Sequence, residues 1–397
     1  MYYSLTDLGK KTAAELAQIF VTIPAGVTTL DLSKNDLGNK TDAELAQIFA
    51  EIPTDVTTLN LSWNGLGNKT GAELTQIFAA TPAGVTSLNL TLNDLDKKTG
   101  TELSGAFAAI PDGVTTLHLR GNGLGKKNGA ELIQILAATP VHATELDLSW
   151  NSLGNKTVAE LIQSFAAIPA GVTTLHLSGN DLGKKTGAEL TQILAAIPAG
   201  VTTLHLSGNG LGKKTDAELT QILAATPVGA AELDLSWNGL GNKTAVELAQ
   251  AFAAISAGVS SLDLSGNDLS TKTTDELTQA FVAIPAAVTT ITLSERDVVN
   301  RSKGELIYLG KVLSDFFIKI IDDKNEPSDH PKTQELQQYM DARIKEAHMQ
   351  LQLEDILSPE RLVNLILEAS VSPVEPSSIL FASNGHIAKK TELMQKK

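Results

Sequence analysis

Leucine alternates with polar residues in short stretches such as Val27-Thr28-Thr29-Leu30-Asp31-Leu32-Ser33, and the stretch returns every 29 residues. Its first leucine falls at Leu30, Leu59, Leu88, Leu117, Leu146, Leu175, Leu204, Leu233 and Leu262, with Ile291 continuing the series. Alternation of this kind predicts a half-buried strand, with Leu30 and Leu32 inward and Thr29, Asp31 and Ser33 outward. An asparagine follows at Asn35, Asn64, Asn93, Asn122, Asn151, Asn180, Asn209, Asn238 and Asn267, and the slot fails at Arg296. Where the strand ends, the asparagine amide is placed to bond to backbone groups of the turn and of the next coil. Tyr3, Leu5 and Leu8 read as a partial first copy, with Thr6 in the asparagine slot.

The period then changes from 2 to 3.6. Thr41-Asp42-Ala43-Glu44 is a capping box, with Thr41 on the N3 amide and Glu44 reaching back. Its acid recurs from Glu15 to Glu305, with Asn128 and Ser302 replacing threonine in two copies. Leu45, Ile48, Phe49 and Ile52 follow at helical spacing and give one apolar stripe. Pro53 stops the helix, as prolines do in most copies; Ser256 is the exception.

One strand and one helix cannot bury their apolar faces alone, so stability comes from stacking on the next copy. Strand-to-helix alternation forces a parallel sheet. Helices are wider than strands, so the sheet lines the inside of an arc. The fold class is therefore α/β: a solenoid, or horseshoe, with a parallel concave sheet and convex helices. Val27, Leu30, Leu32, Asn35 and Leu37 spell L-x-x-L-x-L-x-x-N-x-L, which resembles the leucine-rich repeat, and the 29-residue period resembles its ribonuclease-inhibitor-like subclass. The resemblance covers residues 1–321. Residues 222–255 nearly repeat residues 135–168, an offset of three units that points to block duplication.

Past the array, Glu305 to Ile321 reads as a divergent last helix that caps it. Residues 322–397 form a second region, a small C-terminal helical cap or extension with a loose tail. Asp322 to Pro331 is a polar linker, and helices are expected near Lys332–Leu353 and Ser358–Ala369.

The formal net charge of -14 argues against nucleic acid, which needs a basic footprint, and against an anionic membrane surface. With no cysteine, disulfides, thiolate zinc sites and cysteine nucleophiles are excluded. No apolar run reaches the roughly 18 residues of a membrane span, and Met1 to Lys11 lacks a signal-peptide layout. There is no Gly-rich phosphate loop, G-x-S-x-G elbow or H-E-x-x-H motif, so the chain reads as a non-enzyme without cofactor.

The three tryptophans, Trp63, Trp150 and Trp237, share the slot before the repeat asparagine, at the rim of the concave face. There they either anchor a partner or pack flat on neighbouring loops. The residue between the two strand leucines points into the concavity, and His118, Asp147, His176, His205 and Asp234 occupy it in five consecutive copies. Rungs about 4.8 Å apart bring these side chains within reach of one another. Arg120, Glu145 and Glu232 add charge nearby. The row reads as a polar contact surface for a basic or polar protein, with metal binding at His176 and His205 the sharper alternative. Asn39, Asn68, Asn155 and Asn242 each begin Asn-Lys-Thr, read as structural because the threonine caps a helix. The pairs Lys126-Lys127, Lys184-Lys185 and Lys213-Lys214 read as a solvated flank.

The near-identical copies with Gly-Asn-Lys-Thr and Gly-Lys-Lys-Thr loops also resemble leucine-rich-repeat effectors that intracellular bacteria inject into host cells. That resemblance implies a protein-binding scaffold translocated into the host cytoplasm, with a C-terminal signal around Ile387, Leu393 and Met394. Some such effectors carry a ubiquitin ligase with a catalytic cysteine, which this chain lacks. Two alternatives are an inhibitor that caps a basic enzyme and an adaptor whose C-terminal helices recruit a host enzyme complex.

Overall fold

The computed structural model describes residues 1–313 and 315–356. Twelve strands lie side by side in chain order in one parallel sheet. They are β1 (Tyr2–Ser4), β2 (Thr29–Asp31), β3 (Thr58–Asn60), β4 (Ser87–Asn89), β5 (Thr116–His118) and β6 (Glu145–Asp147). Then come β7 (Thr174–His176), β8 (Thr203–His205), β9 (Glu232–Asp234), β10 (Ser261–Asp263), β11 (Thr290–Ser294) and β12 (Phe317–Ile321). Register follows the repeat: Leu146 pairs with Leu117 on one side and Leu175 on the other. Each central leucine is fully buried between two half-exposed neighbours.

After each of the strands β1 to β10 the chain enters a short 3-10 turn, for example Leu153–Asn155, and then a helix such as Val158–Ala166. The capping box is complete at Thr157: its hydroxyl accepts from the Glu160 N–H at 3.3 Å, and Glu160 Oε2 accepts from the Thr157 N–H at 2.8 Å. Those cap bonds, led by the Thr157 N–H, hold the Glu160 carboxyl down at about 2. The threonines of Asn68-Lys-Thr, Asn155-Lys-Thr and Asn242-Lys-Thr are these caps. Between sheet and helices runs one continuous aliphatic core, from Leu5 to Met340.

Leucine burial gives the coils cohesion, and the buried asparagines fix their spacing. Asn151 Oδ1 accepts from the N–H groups of Asn122 and Leu124 in the preceding coil, at 3.0 and 3.1 Å. Its Nδ2 donates to the Leu119 carbonyl of that coil and to Leu148 of its own, both at 3.0 Å. The side chain therefore reaches back along the chain, whereas its own N–H donates forward to Asn180 at 2.9 Å. The pattern begins with Leu8 donating to Asn35. Where Arg296 replaces asparagine, buried Asp297 takes over one position later, accepting from Ser294 at 3.1 Å.

A second ladder overturns the solvated reading of the lysine pairs. Lys127 is buried and its ammonium donates to the Lys98 carbonyl one coil back. Lys40, Lys69, Lys156, Lys185, Lys214 and Lys243 repeat the arrangement. Only the first lysine of the 126–127 pair is solvated: Lys126 bonds to Asp96 at 2.7 Å with its side chain 73% exposed. Arg301 occupies the lysine slot in the last coil, donating to Lys272 O and Thr274 Oγ1, and Lys332 in turn donates to Arg301 O.

The C-terminal reading needs one correction. Glu305 to Ile321 is not a single helix: helix Lys303–Leu313 ends, and Phe317–Ile321 forms β12 on β11. The run Phe317-Ile318-Lys319-Ile320-Ile321 is β-branched and alternating enough to join the sheet edge. Helix Pro331–Ile356 then packs on helix Lys303–Leu313, with Leu336 and Met340 buried in the common core. The expected helix Ser358–Ala369 and the tail with Ile387, Leu393 and Met394 lie outside the described residues.

Three outcomes follow in urea unfolding. Asn151→Ala strands four backbone groups of two coils and is expected to cost at least about 3 kcal/mol. Lys127→Ala is expected to cost about 1.5–3 kcal/mol, because a charged donor leaves a buried carbonyl bare. Lys126→Ala, at an exposed pair, is expected to change stability by less than about 1 kcal/mol. Equal losses at the two lysines would contradict the second ladder.

Candidate functional site: the inner wall and its aromatic rim

Alternate strand residues project from the sheet on the side away from the helices and form a continuous wall. In its central stretch the row between the strand leucines carries His118, Asp147, His176, His205, Asp234 and Asp263 on consecutive rungs. His118 Nδ1 stands 3.8 Å from Asp147 Oδ2, His176 Nε2 3.1 Å from Glu145 Oε1, and His205 Nδ1 3.1 Å from Asp234 Oδ2. The rings of His176 and His205 stack with centroids 4.1 Å apart and planes within 4°.

The carboxylates are held by the wall itself. Asp147 and Asp234 each accept a backbone N–H from two residues on, Ser149 and Ser236, at 2.8 Å. Burial pushes both carboxyls up, but the facing histidines and these serines together bring them below their ordinary range. At Asp263 burial leaves the carboxyl raised, with Asp234 adding to the effect, against the bonds from Ser265 and the weaker pull of His205. Burial, then the adjoining His205, lowers the His176 imidazole despite Asp147 and Glu145. Glu232 projects freely from the exposed end of β9.

Parallel rings aim their in-plane lone pairs along parallel lines, so His176 and His205 do not converge on one ion. Among the described residues no three His, Asp or Glu side chains are grouped to hold a metal.

The three tryptophans stand at the end of the wall. Each takes a left-handed backbone (φ 58° at Trp63, 58° at Trp150, 55° at Trp237) and donates its N–H to the next coil. The side chains remain 53–58% exposed. Trp150 and Trp237 lie flat on the following coil because that coil has glycine in the same slot. A Cβ on Gly179 would come within 2.7 Å of the Trp150 ring, and one on Gly266 within 2.5 Å of Trp237. The two indoles are thus both packed and presented. The Arg120 guanidinium stands over the Trp150 ring, 5.4 Å from its centroid. Trp237 itself lines a shallow hollow of the last coils, together with Asp268, Arg296, Asp297 and Asp322, and the Arg296 guanidinium there is held by Asp323 at 2.5 Å. Burial pushes the Asp297 carboxyl up to about 6, against the N–H bonds from Ser294 and Ser270.

Sequence reasoning named the tryptophans but not their glycine seats. Gly179 and Gly266 follow Trp150 and Trp237 at one period, and that Trp-then-Gly order was the available signal.

Twelve parallel strands alternating with helices, and a polar wall left open on the inside, define a leucine-rich-repeat solenoid. The chain belongs to the leucine-rich-repeat family. The family model described as Leucine Rich repeat matches residues 53–73 and 232–249. The chain is similar to the leucine-rich repeat-containing protein LegL7 from Legionella pneumophila, at 37% identity and a TM-score of 0.68. That match covers 86% of this chain and 98% of LegL7. A structure of the yeast Rad7 and Elc1 complex matches at 15% identity and a TM-score of 0.42, over 74% of this chain and 76% of that one. A search of the curated proteins gave no match.

His176 makes the wall sensitive to acid. A histidine whose folded-state value is lowered binds its proton less readily than in the unfolded chain. Stability is therefore full above pH 6.5, the ordinary histidine value, and declines as pH falls below it. In thermal unfolding, His176→Gln is expected to reduce the fall in melting temperature between pH 7 and pH 5. An undiminished fall would place the acid sensitivity elsewhere.

Proposed function

We propose that the chain is a protein-binding scaffold that takes a protein partner on the concave wall, between the tryptophan rim and the His/Asp row. Leucine-rich-repeat folds typically serve protein interaction without catalysis, and that coarser role follows from the family. The observation that carries the finer reading is the exposure of three indoles in one slot beside a row of fixed charges. Large aromatics that are already ordered contribute contact area at little entropic cost. About ten inner rungs span roughly 45 Å, enough for a standard interface.

The partner-binding set is Trp63, Trp150, Trp237, His118, Arg120, Glu145, Asp147, His176, His205, Glu232 and Asp234. The likeness to LegL7 from Legionella pneumophila supports a role as an effector acting on a host protein in the host cytoplasm. The acidic inner wall favours a basic partner over nucleic acid. No helix among the described residues is long and apolar enough to cross a membrane. Residues 322–397 are proposed as a C-terminal extension of the solenoid, not a separate catalytic unit.

The test is affinity capture from host lysate with the full chain. A bound protein is expected to be retained by the convex-face variant Gln163→Lys and lost from Trp63→Ala/Trp150→Ala/Trp237→Ala and from Glu232→Lys/Asp234→Lys. Loss from the convex variant alone, or from none, would move the interface off the inner wall.

A further inference from the structure

Arg120 and Trp150 form an internal pair of a kind that the repeat almost reproduces elsewhere. Arg120 stands 30 residues before Trp150, on the outward position of the preceding coil, and places its guanidinium over the indole. The same step back from Trp237 reaches Ser207. Trp237 otherwise matches Trp150 closely: the same left-handed backbone, the same 58% exposure and the same glycine seat on the following coil. Ser207 is too short to cover the ring; its hydroxyl is engaged by Ser236 at 2.9 Å, and the adjoining Gly208 has no side chain. Among the described residues a guanidinium stands over Trp150 and no such contact is formed at Trp237.

Resting on the reading of the inner wall as a protein interface, we infer that the face of Trp237 on the side of Ser207 receives an arginine side chain of the partner. The guanidinium sits over the indole as Arg120 does over Trp150. Charge complementarity supports this occupant. Glu232 and Asp234 belong to the strand that leads to Trp237, Asp263 follows one rung on, and the chain as a whole carries -14. A planar, weakly hydrated cation stacks on an aromatic face at little desolvation cost, and nearby carboxylates add to the attraction. The ring already lies against the Gly266 backbone, and a side chain packed before the ligand arrives has less freedom to lose on binding.

The probe is a fluorescently labelled (Gly-Arg)3 peptide, with its neutral citrulline counterpart, titrated into the full-length chain and followed by anisotropy. The arginine peptide is expected to bind roughly three- to thirty-fold tighter than the citrulline peptide. Trp237→Ala and Ser207→Arg should each remove that difference, the second by supplying the cation from within. Ser178→Arg adds the same charge one coil away, in a position whose 30-residue step meets Gly208, and should leave the preference intact. Arg120→Ser should strengthen binding by uncovering Trp150. Equal binding of the two peptides, or equal effects of Ser207→Arg and Ser178→Arg, would overturn the inference. If the peptide fails while captured protein is still lost from the inner-wall variants, only this inference falls. If those variants keep the captured protein, the interface reading falls with it.

Discussion

A single buried asparagine amide per coil decides whether neighbouring coils can stack. The turn after each short strand leaves N–H and C=O groups that neither the sheet nor the helix can use, and burying them bare would cost a large part of what the leucines return. Asn151 answers two donors with one oxygen and two carbonyls with one nitrogen, across the boundary between coils. No other uncharged side chain of that length offers both functions at once. The 29-residue spacing is the distance at which each amide meets the backbone of the coil before it. A residue added or lost within a coil would move its asparagine out of reach. The lysine ladder applies the same constraint on the way into each helix.

The strands, the caps and the helical stripes were legible because each is a local pattern with one physical meaning. Leu-x-Leu alternation marks a one-sided strand, and Thr-x-x-Glu marks a helix start. What was not legible depends on the neighbouring coil. Lys127 looks like half of a solvated pair until a carbonyl from the previous coil is placed beside its ammonium. Phe317–Ile321 is apolar enough to pass for helix, and only the open edge of β11 makes it a strand. The inner row was readable as a row, since register is fixed by the repeat. The face-to-face stacking of His176 and His205 was not, because it depends on rotamers chosen against Glu145 and Asp234. In that stacked arrangement the two rings do not point at a common ion.

The wall that results combines rigidity with little individual character. Its backbone is set by ladders that repeat unchanged from coil to coil, so recognition falls to the few slots free to vary: the position between the strand leucines, the one two residues later, and the one before the asparagine. In the middle of the array these slots carry carboxylates, histidines, one arginine and two indoles, whereas β3 and β4 offer neutral asparagines. The chemistry is thus concentrated on the central rungs, from β5 to β10.

The asparagine ladder also has a direction in time. Since each amide points backward, a coil emerging during synthesis holds two bare N–H groups until its successor is made and folded against it. Asn122 and Leu124 wait for Asn151, and so on down the chain. A nascent array is therefore always one coil short of satisfaction. It consolidates from the amino terminus at the pace of translation, until Asp297, Arg301 and Lys332 close the series with side chains of a different kind.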